Sequence, residues 1–158
     1  MEEAATPDQA PDIAVSSLAN TMTGQVPAVI AQAPYIRLLV LFGSRATGAA
    51  TPKSDWDFAV LSDLQQRRAY EPDGFSHLRL YPILGPAFGI SVDLVDIVDL
   101  NTCSPAIAYQ VARSGRVLYE RTGEFDRLQR FAWRRYADTQ KFRDLRKQSI
   151  ALRLEQSQ

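Results

Sequence analysis

Two short apolar runs, each bounded by turn-forming residues, restrict this chain to folds that contain a buried β-sheet. The first, YIRLLVLF at residues 35–42, is rich in branched aliphatic side chains and stops at Gly43, which predicts a buried strand. The second, DWDFAVLS at residues 55–62, alternates aspartates with aromatic residues. Residues two apart on a strand lie on the same face. Asp55 and Asp57 are therefore predicted to project side by side from the second strand.

Two later segments extend this sheet, and a well-bounded helix separates them. ISVDLVDIVDL at residues 90–100 predicts a third strand that pairs beside the second, and RVLYE at residues 116–120 predicts a short edge strand. Between them, Ser104 and Pro105 are typical of a helix N-cap and first helical position, and Gly115 stands where helices end. One helix is therefore expected to connect the third and fourth strands.

The remaining segments predict further helices. Apolar residues interrupted by glycine and proline favour a short helix within residues 13–32. Residues 63–89 predict a helix broken at Pro82 and Pro86, because proline lacks the N–H donor that a helix interior needs. The spacing of apolar residues predicts a long helix over residues 124–150.

The length and composition of the chain fit one globular domain. Its 158 residues are 46% hydrophobic and 23% charged, which is close to the average for soluble domains. We predict a flexible leader at residues 1–12, a single domain at residues 13–150 that ends in a long basic helix, and a flexible tail at residues 151–158. The acidic N-terminus is unlike a signal peptide, and no apolar window is long enough to cross a membrane. A cytoplasmic location is therefore expected.

The chain contains one cysteine, Cys103, and one histidine, His77. No internal disulfide can form, and zinc sites or histidine-assisted nucleophiles lack the residues they need. Cys103 is expected to pack as a small apolar residue, and His77 is expected on an irregular surface segment. Carboxylates must therefore carry any metal chemistry.

Charge is unevenly distributed along a chain whose formal net charge is zero. Residues 121–158 hold 10 Lys or Arg against 5 Asp or Glu, whereas residues 1–120 hold 8 against 13. A basic segment favours a solvated helix face, or else a contact surface for an acidic partner or a nucleic acid. We favour the solvated face, and we expect three aromatic residues of the last helix to be core or interface residues: Trp133, Tyr136 and Phe142.

A glycine, a serine and three aspartates fall in an order that predicts a triphosphate and metal site. Gly43 permits close approach of the backbone, and the following N–H groups, with the Ser44 hydroxyl, can hold phosphate oxygens. Asp55 and Asp57 repel each other unless a cation lies between them. With Asp93 on the third strand, three carboxylates are enough to hold two Mg²⁺ ions that also bind substrate phosphates.

The choice of the third carboxylate depends on strand parity. Asp93, Asp96 and Asp99 share one apolar run, and alternation places Asp96 on the face opposite Asp93. We favour Asp93, a choice that a single bulge in the strand would reverse. Lys53 precedes the first aspartates and could reach a phosphate, although an exposed loop lysine is the simpler interpretation.

These residues also resemble a known family. LFGSRATGAATPKSDWDFAVL resembles the signature of the DNA polymerase β superfamily of nucleotidyltransferases, in which Gly-Ser is followed by ten residues and then Asp-x-Asp. VDLVDIVDLNTCSPAIAYQVARSGRVLYE is similar to the second half of the minimal nucleotidyltransferases, the MntA antitoxins encoded beside HEPN-type toxins of the HepT group. The resemblance runs from residue 36 to about residue 145.

The resemblance implies an α+β nucleotidyltransferase fold, with helices packed on a mixed four-stranded sheet. It also implies an antitoxin that transfers AMP from ATP to a tyrosine of the partner toxin, with two Mg²⁺ ions as cofactors. Such a modification silences a toxin RNase.

Motif position implies a role for each site residue. The prolines within residues 63–89 depart from the family pattern, and this departure concerns the acceptor side of the site. The triphosphate would be held by Gly43 and Ser44, with help from Arg45 and Ser54, and both metal ions by Asp55, Asp57 and Asp93, the last also serving as the base for the incoming hydroxyl.

Two other functions stay open at this point. The chain could transfer a nucleotide to a small molecule such as an aminoglycoside, although such enzymes typically use a further helical domain to hold the acceptor. It could also be a non-catalytic antitoxin that neutralises its toxin by binding alone, through the basic C-terminal helix. Retention of three carboxylates argues against binding alone. No membrane partner is expected, and a nucleic-acid partner is not favoured.

Overall fold

The computed structural model describes residues 10–72 and 76–155, with side chains described for residues 17–72 and 78–139. Its centre is a mixed four-stranded sheet in the order β3-β2-β1-β4, in which β1 is antiparallel to β2 and β4 while β2 and β3 are parallel. This confirms the predicted α+β class, the pairing of the third strand with the second and the edge position of the fourth. The strands are β1 (Ile36–Phe42), β2 (Trp56–Ser62), β3 (Val95–Asp99) and β4 (Arg116–Glu120).

Helices precede, connect and follow these strands. Gly24 separates the first two helices, and Pro27 lies in the first turn of the second, where its missing N–H costs no hydrogen bond. The helices are α1 (Ala10–Thr23), α2 (Val26–Gln32), α3 (Gly43–Thr47), α4 (Leu64–Tyr70), α5 (Ser76–Arg79), α6 (Tyr81–Phe88), α7 (Pro105–Ser114) and α8 (Glu124–Glu155).

The sheet is covered on both faces, which makes β1 the buried centre of the molecule. Leu39 and Leu41 pack into a cluster with α1, α2 and α6, whereas Leu38 and Val40 pack into a second cluster with α7 and α8. Every residue of β1 except Arg37 is buried. This two-sided burial explains why the first strand is a nearly continuous apolar run rather than an alternating one.

The residues predicted to begin and end α7 do so, with one difference at the C-terminal end. The Ser104 hydroxyl accepts a hydrogen bond from the Ile107 N–H at 3.3 Å, as an N-cap does. Gly115 follows the helix but has a φ of −69°, outside the left-handed region. Glycine is needed here for lack of space, because a Cβ at this position would lie 2.4 Å from the Val111 carbonyl oxygen and 2.5 Å from the Val40 side chain. The glycine lets the end of α7 rest directly on β1.

One prediction about the middle of the chain was wrong in detail. The segment after the first strand begins with the short helix α3. Among the described residues of 63–89 there are three helices, and α6 continues through Pro86 to Phe88. Pro82 lies in the first turn of α6, and Pro86 near its end removes only one interior hydrogen bond, so a two-turn helix tolerates both.

The first and last helices cross the predicted boundaries of the domain. Helix α1 begins at Ala10, inside the predicted leader at residues 1–12, and residues 1–9 lie outside the described part. Helix α8 extends to Glu155, into the predicted tail at residues 151–158, whose last three residues lie outside the described part. No helix among the described residues has the length and apolarity needed to cross a membrane.

Candidate active site

The end of β1 brings a glycine against an aspartate. Phe42 pairs with Asp57 across the antiparallel strands, and Gly43 follows with a φ of 71°. A Cβ on Gly43 would lie 2.1 Å from Oδ2 of Asp57. Only glycine leaves room for this carboxylate, and only glycine adopts that φ without strain. The Gly-Ser turn is thus shaped around an acidic side chain.

The first two aspartates flank the start of β2. Asp55 immediately precedes the strand and is exposed, and Asp57 lies within the strand and is half-buried. Ser44 lies in the first turn of α3, also half-buried. The sequence prediction that these residues meet at one end of the sheet agrees with the strand register.

The third carboxylate beside them is Asp96, not Asp93. Asp96 is the register partner of Asp57 in the parallel pair of β2 and β3, so the two side chains lie on the same face of the sheet. Asp93 lies in a 3-10 turn, Val92–Leu94, that precedes β3. The predicted strand began at residue 90, whereas the observed strand begins at Val95, so Asp93 precedes the strand and alternation along β3 does not fix the direction of its side chain.

One sequence signal could have corrected this choice. Ser91 opens the 3-10 turn, and its carbonyl accepts a hydrogen bond from the Leu94 N–H at 2.9 Å. Gly89 before it caps α6 in the left-handed conformation. A glycine and a serine so close together are typical of a turn, which would have moved the start of the strand past Asp93.

Asp99, the other alternative, lies at the opposite end of β3. It pairs with Val60 in register, and its carboxylate binds Arg67 at 2.8 Å and the Asn101 N–H at 2.9 Å. These contacts hold the connection between β3 and α7. Asp99 is therefore structural rather than part of the acidic cluster.

Asp57 shows the electrostatic strain of this cluster. Burial raises its pKa, and the neighbouring carboxylates of Asp96 and Asp55 raise it further, while Arg45 acts in the opposite direction. Three acids near one another favour a cation between them. The residues therefore fit a divalent metal ion.

The acids do not enclose a metal ion on their own. Within residues whose side chains are described, no three His, Cys, Asp or Glu form a ready-made metal cage. Mg²⁺ commonly takes only a few carboxylate oxygens and completes its shell with water and substrate phosphates. Asp55, Asp57 and Asp96 suit that open kind of site.

Two residues were predicted to assist with phosphates, Arg45 and Ser54. Ser54 lies in the loop between α3 and β2, and Arg45 contacts that loop. Arg45 donates to the carbonyl oxygens of Ser54 and Asp55. The Ser54 hydroxyl accepts from the Thr51 N–H at 2.9 Å. Lys53 is exposed on the same loop.

The remaining candidates lie outside this cluster. Cys103 is half-buried and packs against the second apolar cluster, as predicted. Tyr136 stacks on Tyr109 with ring centroids 4.0 Å apart, whereas Trp133 is exposed and so is not a core residue. The side chains of His77 and Phe142 lie outside the described residues.

Comparison with known proteins agrees with this geometry. A family model described as "Polymerase beta, Nucleotidyltransferase" matches residues 25–124. A relative named protein adenylyltransferase MntA, from Aphanizomenon flos-aquae (strain 2012/KM1/D3), is 50% identical over 103 residues, which are 64% of this chain and 69% of that protein. The segment matched by the family model contains the Gly-Ser and Asp-x-Asp residues.

Solved structures share the fold. A crystal structure of a toxin-antitoxin with AMP-PNP has a TM-score of 0.64 at 23% identity and covers 82% of this chain and 98% of that chain. A structure of a tri-AMPylated Shewanella oneidensis HEPN toxin in complex with MNT antitoxin has a TM-score of 0.61 at 21% identity, covering 84% and 98%. The family match includes all four strands and the acidic cluster. The chain belongs to the polymerase beta nucleotidyltransferase family.

Proposed function

We propose that this protein is an antitoxin that transfers AMP from ATP to a tyrosine hydroxyl of a HEPN-type toxin. One observation carries the proposal: Asp57 and Asp96 lie in register on adjacent parallel strands, with Asp55 beside them and Gly43 packed against Asp57. The relative named protein adenylyltransferase MntA and the fold shared with toxin-antitoxin structures support the choice of donor and acceptor. A reaction that consumes ATP also favours a cytoplasmic location.

The proposed chemistry assigns a task to each acid. Asp55 and Asp57 would hold two Mg²⁺ ions, with Asp96 as the third ligand, and the metals would neutralise charge on the triphosphate and on the leaving pyrophosphate. The backbone at Gly43 and Ser44 would hold the phosphate tail in place. Together these groups would hold the α-phosphorus of ATP within reach of an incoming hydroxyl.

Asp96 takes the proton-accepting role that motif position gives to the third carboxylate. Like Asp55 it is exposed, whereas Asp57 is half-buried, so a hydroxyl carried by another protein can reach it. As the hydroxyl oxygen bonds to the α-phosphorus, the bond to the β-phosphate oxygen breaks and pyrophosphate leaves. The proton of the hydroxyl passes to the Asp96 carboxylate, which acts as general base.

Neutralisation by binding alone is the main rival function. It requires a contact surface but no acidic cluster, so the raised pKa of Asp57 and the cost of confining three carboxylates would serve no purpose. Transfer to a small molecule would use the same cluster. Only the identity of the labelled product separates that reaction from protein modification.

The test uses ATP labelled on its α-phosphate, Mg²⁺ and a HEPN-type toxin. We expect label on the toxin with the wild type and with Asp93→Asn, and none with Asp96→Asn or with Asp55→Ala combined with Asp57→Ala. Loss of a metal ligand or of the base is expected to reduce the rate by about 100-fold or more. Asp93→Asn is the matched control, because it removes an exposed acid three residues away.

Each contrary result points to a different conclusion. Full activity of Asp96→Asn together with loss of activity in Asp93→Asn would assign the role of third metal ligand and general base to Asp93. Neutralisation of the toxin by the double alanine variant, without label, would establish binding alone. Label on a small acceptor but never on the toxin would establish nucleotide transfer to a small molecule.

A further inference from the structure

Arg45 makes a tight set of contacts with three consecutive residues that lead into the acidic cluster. Its Nε lies 3.1 Å from the Ser54 carbonyl oxygen and 3.2 Å from the Asp55 carbonyl oxygen, and its Nη2 lies 2.5 Å from the Ser54 oxygen. Its Cζ lies 4.1 Å from the centre of the Trp56 ring. One edge of the guanidinium thus binds backbone while one face covers an indole.

These contacts occupy the edge of the Arg45 guanidinium formed by Nε and Nη2, one of the two edges through which an arginine can bind a phosphate. Arginine binds phosphate most strongly through two parallel N–H bonds from one edge of its fork. The edge formed by Nε and Nη2 already donates to carbonyl oxygens. Turning that edge toward a triphosphate would cost three hydrogen bonds and the stacking on Trp56.

The loop that receives these contacts needs an external support. Residues 51–53 are exposed, and the loop is tied to itself by the Ser54 N–H, 3.0 Å from the Thr51 carbonyl oxygen, and by the Ser54 hydroxyl. Asp55 precedes β2 and is outside the paired register of both neighbouring strands. Its direction therefore depends on the backbone at Ser54 and Asp55, which is the backbone that Arg45 holds.

We propose that Arg45 is a positioning residue that fixes Asp55 beside Asp57 and so sets the affinity of the acidic cluster for its divalent metal, without binding the triphosphate. The inference rests on the proposed function for its metal and its substrate. It differs from the phosphate role that motif position implies. Residues that orient metal ligands in this indirect way typically change metal affinity by 10- to 100-fold when removed.

Metal dependence and nucleotide affinity separate the two roles. For Arg45→Ala we expect the Mg²⁺ concentration at half-maximal AMP transfer to rise by about tenfold or more. ATP binding measured by calorimetry in excess EDTA should stay within about twofold of the wild type, because no phosphate contact is lost. A tenfold loss of metal-free ATP affinity with an unchanged Mg²⁺ requirement would overturn the proposal.

A protease that cuts only after lysine reports on the loop without any need for activity. The chain's lysines are Lys53, Lys141 and Lys147, so cleavage after Lys53 yields a distinct fragment of residues 1–53. We expect faster cleavage at Lys53 in Arg45→Ala, and an unchanged rate in the control Arg113→Ala, which removes an exposed arginine of α7. Equal rates in all three proteins would contradict the positioning role.

Two further variants keep the test decisive. Arg45→Lys keeps the positive charge but loses the planar guanidinium. We therefore expect it to need the same raised Mg²⁺ concentration as Arg45→Ala. A Mg²⁺ requirement equal to that of the wild type would overturn the proposal. If Arg45→Ala does not fold, Trp56→Leu removes the stacking partner alone and should move the Mg²⁺ dependence in the same direction by a smaller factor. An inactive wild type would refute the proposed function, while the EDTA and protease results would still decide the role of Arg45.

Discussion

Gly43 occupies space that no side chain could share with Asp57. Its φ of 71° disfavours other residues by about 1–2 kcal/mol, and a Cβ would lie 2.1 Å from the Asp57 carboxylate oxygen. The two effects act on different properties. Backbone strain lowers stability, whereas the collision moves the Asp57 carboxylate.

Gly43→Ala is therefore expected to reduce AMP transfer by about 100-fold, since displacement of a catalytic group by about 1 Å has effects of this size. Gly123→Ala is the matched control, because Gly123 has a φ of 62° and open space where a Cβ would be. Both variants should lose similar stability in thermal unfolding, but only Gly43→Ala should lose activity. Equal activity in the two variants would show that the Asp57 contact is unimportant.

Some site residues could be predicted from neighbouring sequence alone, and one depended on how distant strands pair. Gly43, Asp55 and Asp57 stand within one strand-turn-strand unit, so their spacing alone predicts that they meet. Asp96 was passed over for Asp93 because strand parity depends on where β3 begins. That start is set by the turn at Ser91 and by pairing with β2, and neither is visible in the alternation of the run itself.

At the scale of elements, the start of α8 is fixed by one buried acid. Glu124 is 1% exposed. Its carboxylate accepts hydrogen bonds from the Thr122 N–H at 2.5 Å and from Arg37 at 3.1 Å, and it lies 3.3 Å from Arg127. This network ties α8 to β1 and to the end of β4.

Glu124→Gln is expected to lower the free energy of unfolding by about 1–3 kcal/mol at neutral pH, because charged hydrogen bonds in a buried site are lost. Asp126→Asn is the control, because Asp126 is exposed and pairs only with Arg130 along the helix surface among the contacts of the described residues. An exposed pair of this kind contributes about 0–1 kcal/mol. Urea unfolding of both variants measures the difference, and equal losses would contradict the network's role.

The same acid predicts a pH dependence. Burial alone raises the pKa of Glu124, but hydrogen bonds from the backbone of Thr122 and Glu124 and from Arg37 outweigh it, so the net pKa is lowered. Its stabilisation is present above the unfolded-state pKa of about 4.3 and is lost as pH falls through the folded value. The stability gap between wild type and Glu124→Gln should therefore shrink in acid. A gap that widens toward low pH would reverse the assigned direction.

The boundaries of helices and strands were predictable where residues typical of a helix cap or a strand end stand at the boundary. Ser104 and Pro105 mark the start of α7 correctly, and β1 and β2 lie within one residue of their predicted limits. The helices of residues 63–89 were harder, because Pro86 usually ends a helix. Here the packing of Leu84 in the first cluster and the left-handed cap at Gly89 hold α6 together around it.

At the scale of the whole molecule, the two apolar clusters lie on opposite faces of the sheet. Leu39 belongs to the cluster beneath α1, α2 and α6, and Leu38 belongs to the cluster beneath α7 and α8. Both side chains are fully buried. Because both clusters share β1, neither is expected to persist once that strand leaves the sheet.

Leu38→Ala and Leu39→Ala are each expected to lower the free energy of unfolding by about 2–5 kcal/mol, and each variant should still unfold in one transition. Trp56 packs against the first cluster, and Trp133 is an exposed residue of α8, whose Leu128 and Ala132 belong to the second cluster. Their fluorescence can be followed separately in the Trp133→Phe and Trp56→Phe backgrounds. Coincident urea transitions for the two tryptophans would show that β1 couples the faces. If Leu38→Ala moved the Trp133 transition and left the Trp56 transition in place, the two layers would be independent units, and the acidic cluster at the start of β2 and β3 would survive the loss of α7 and α8.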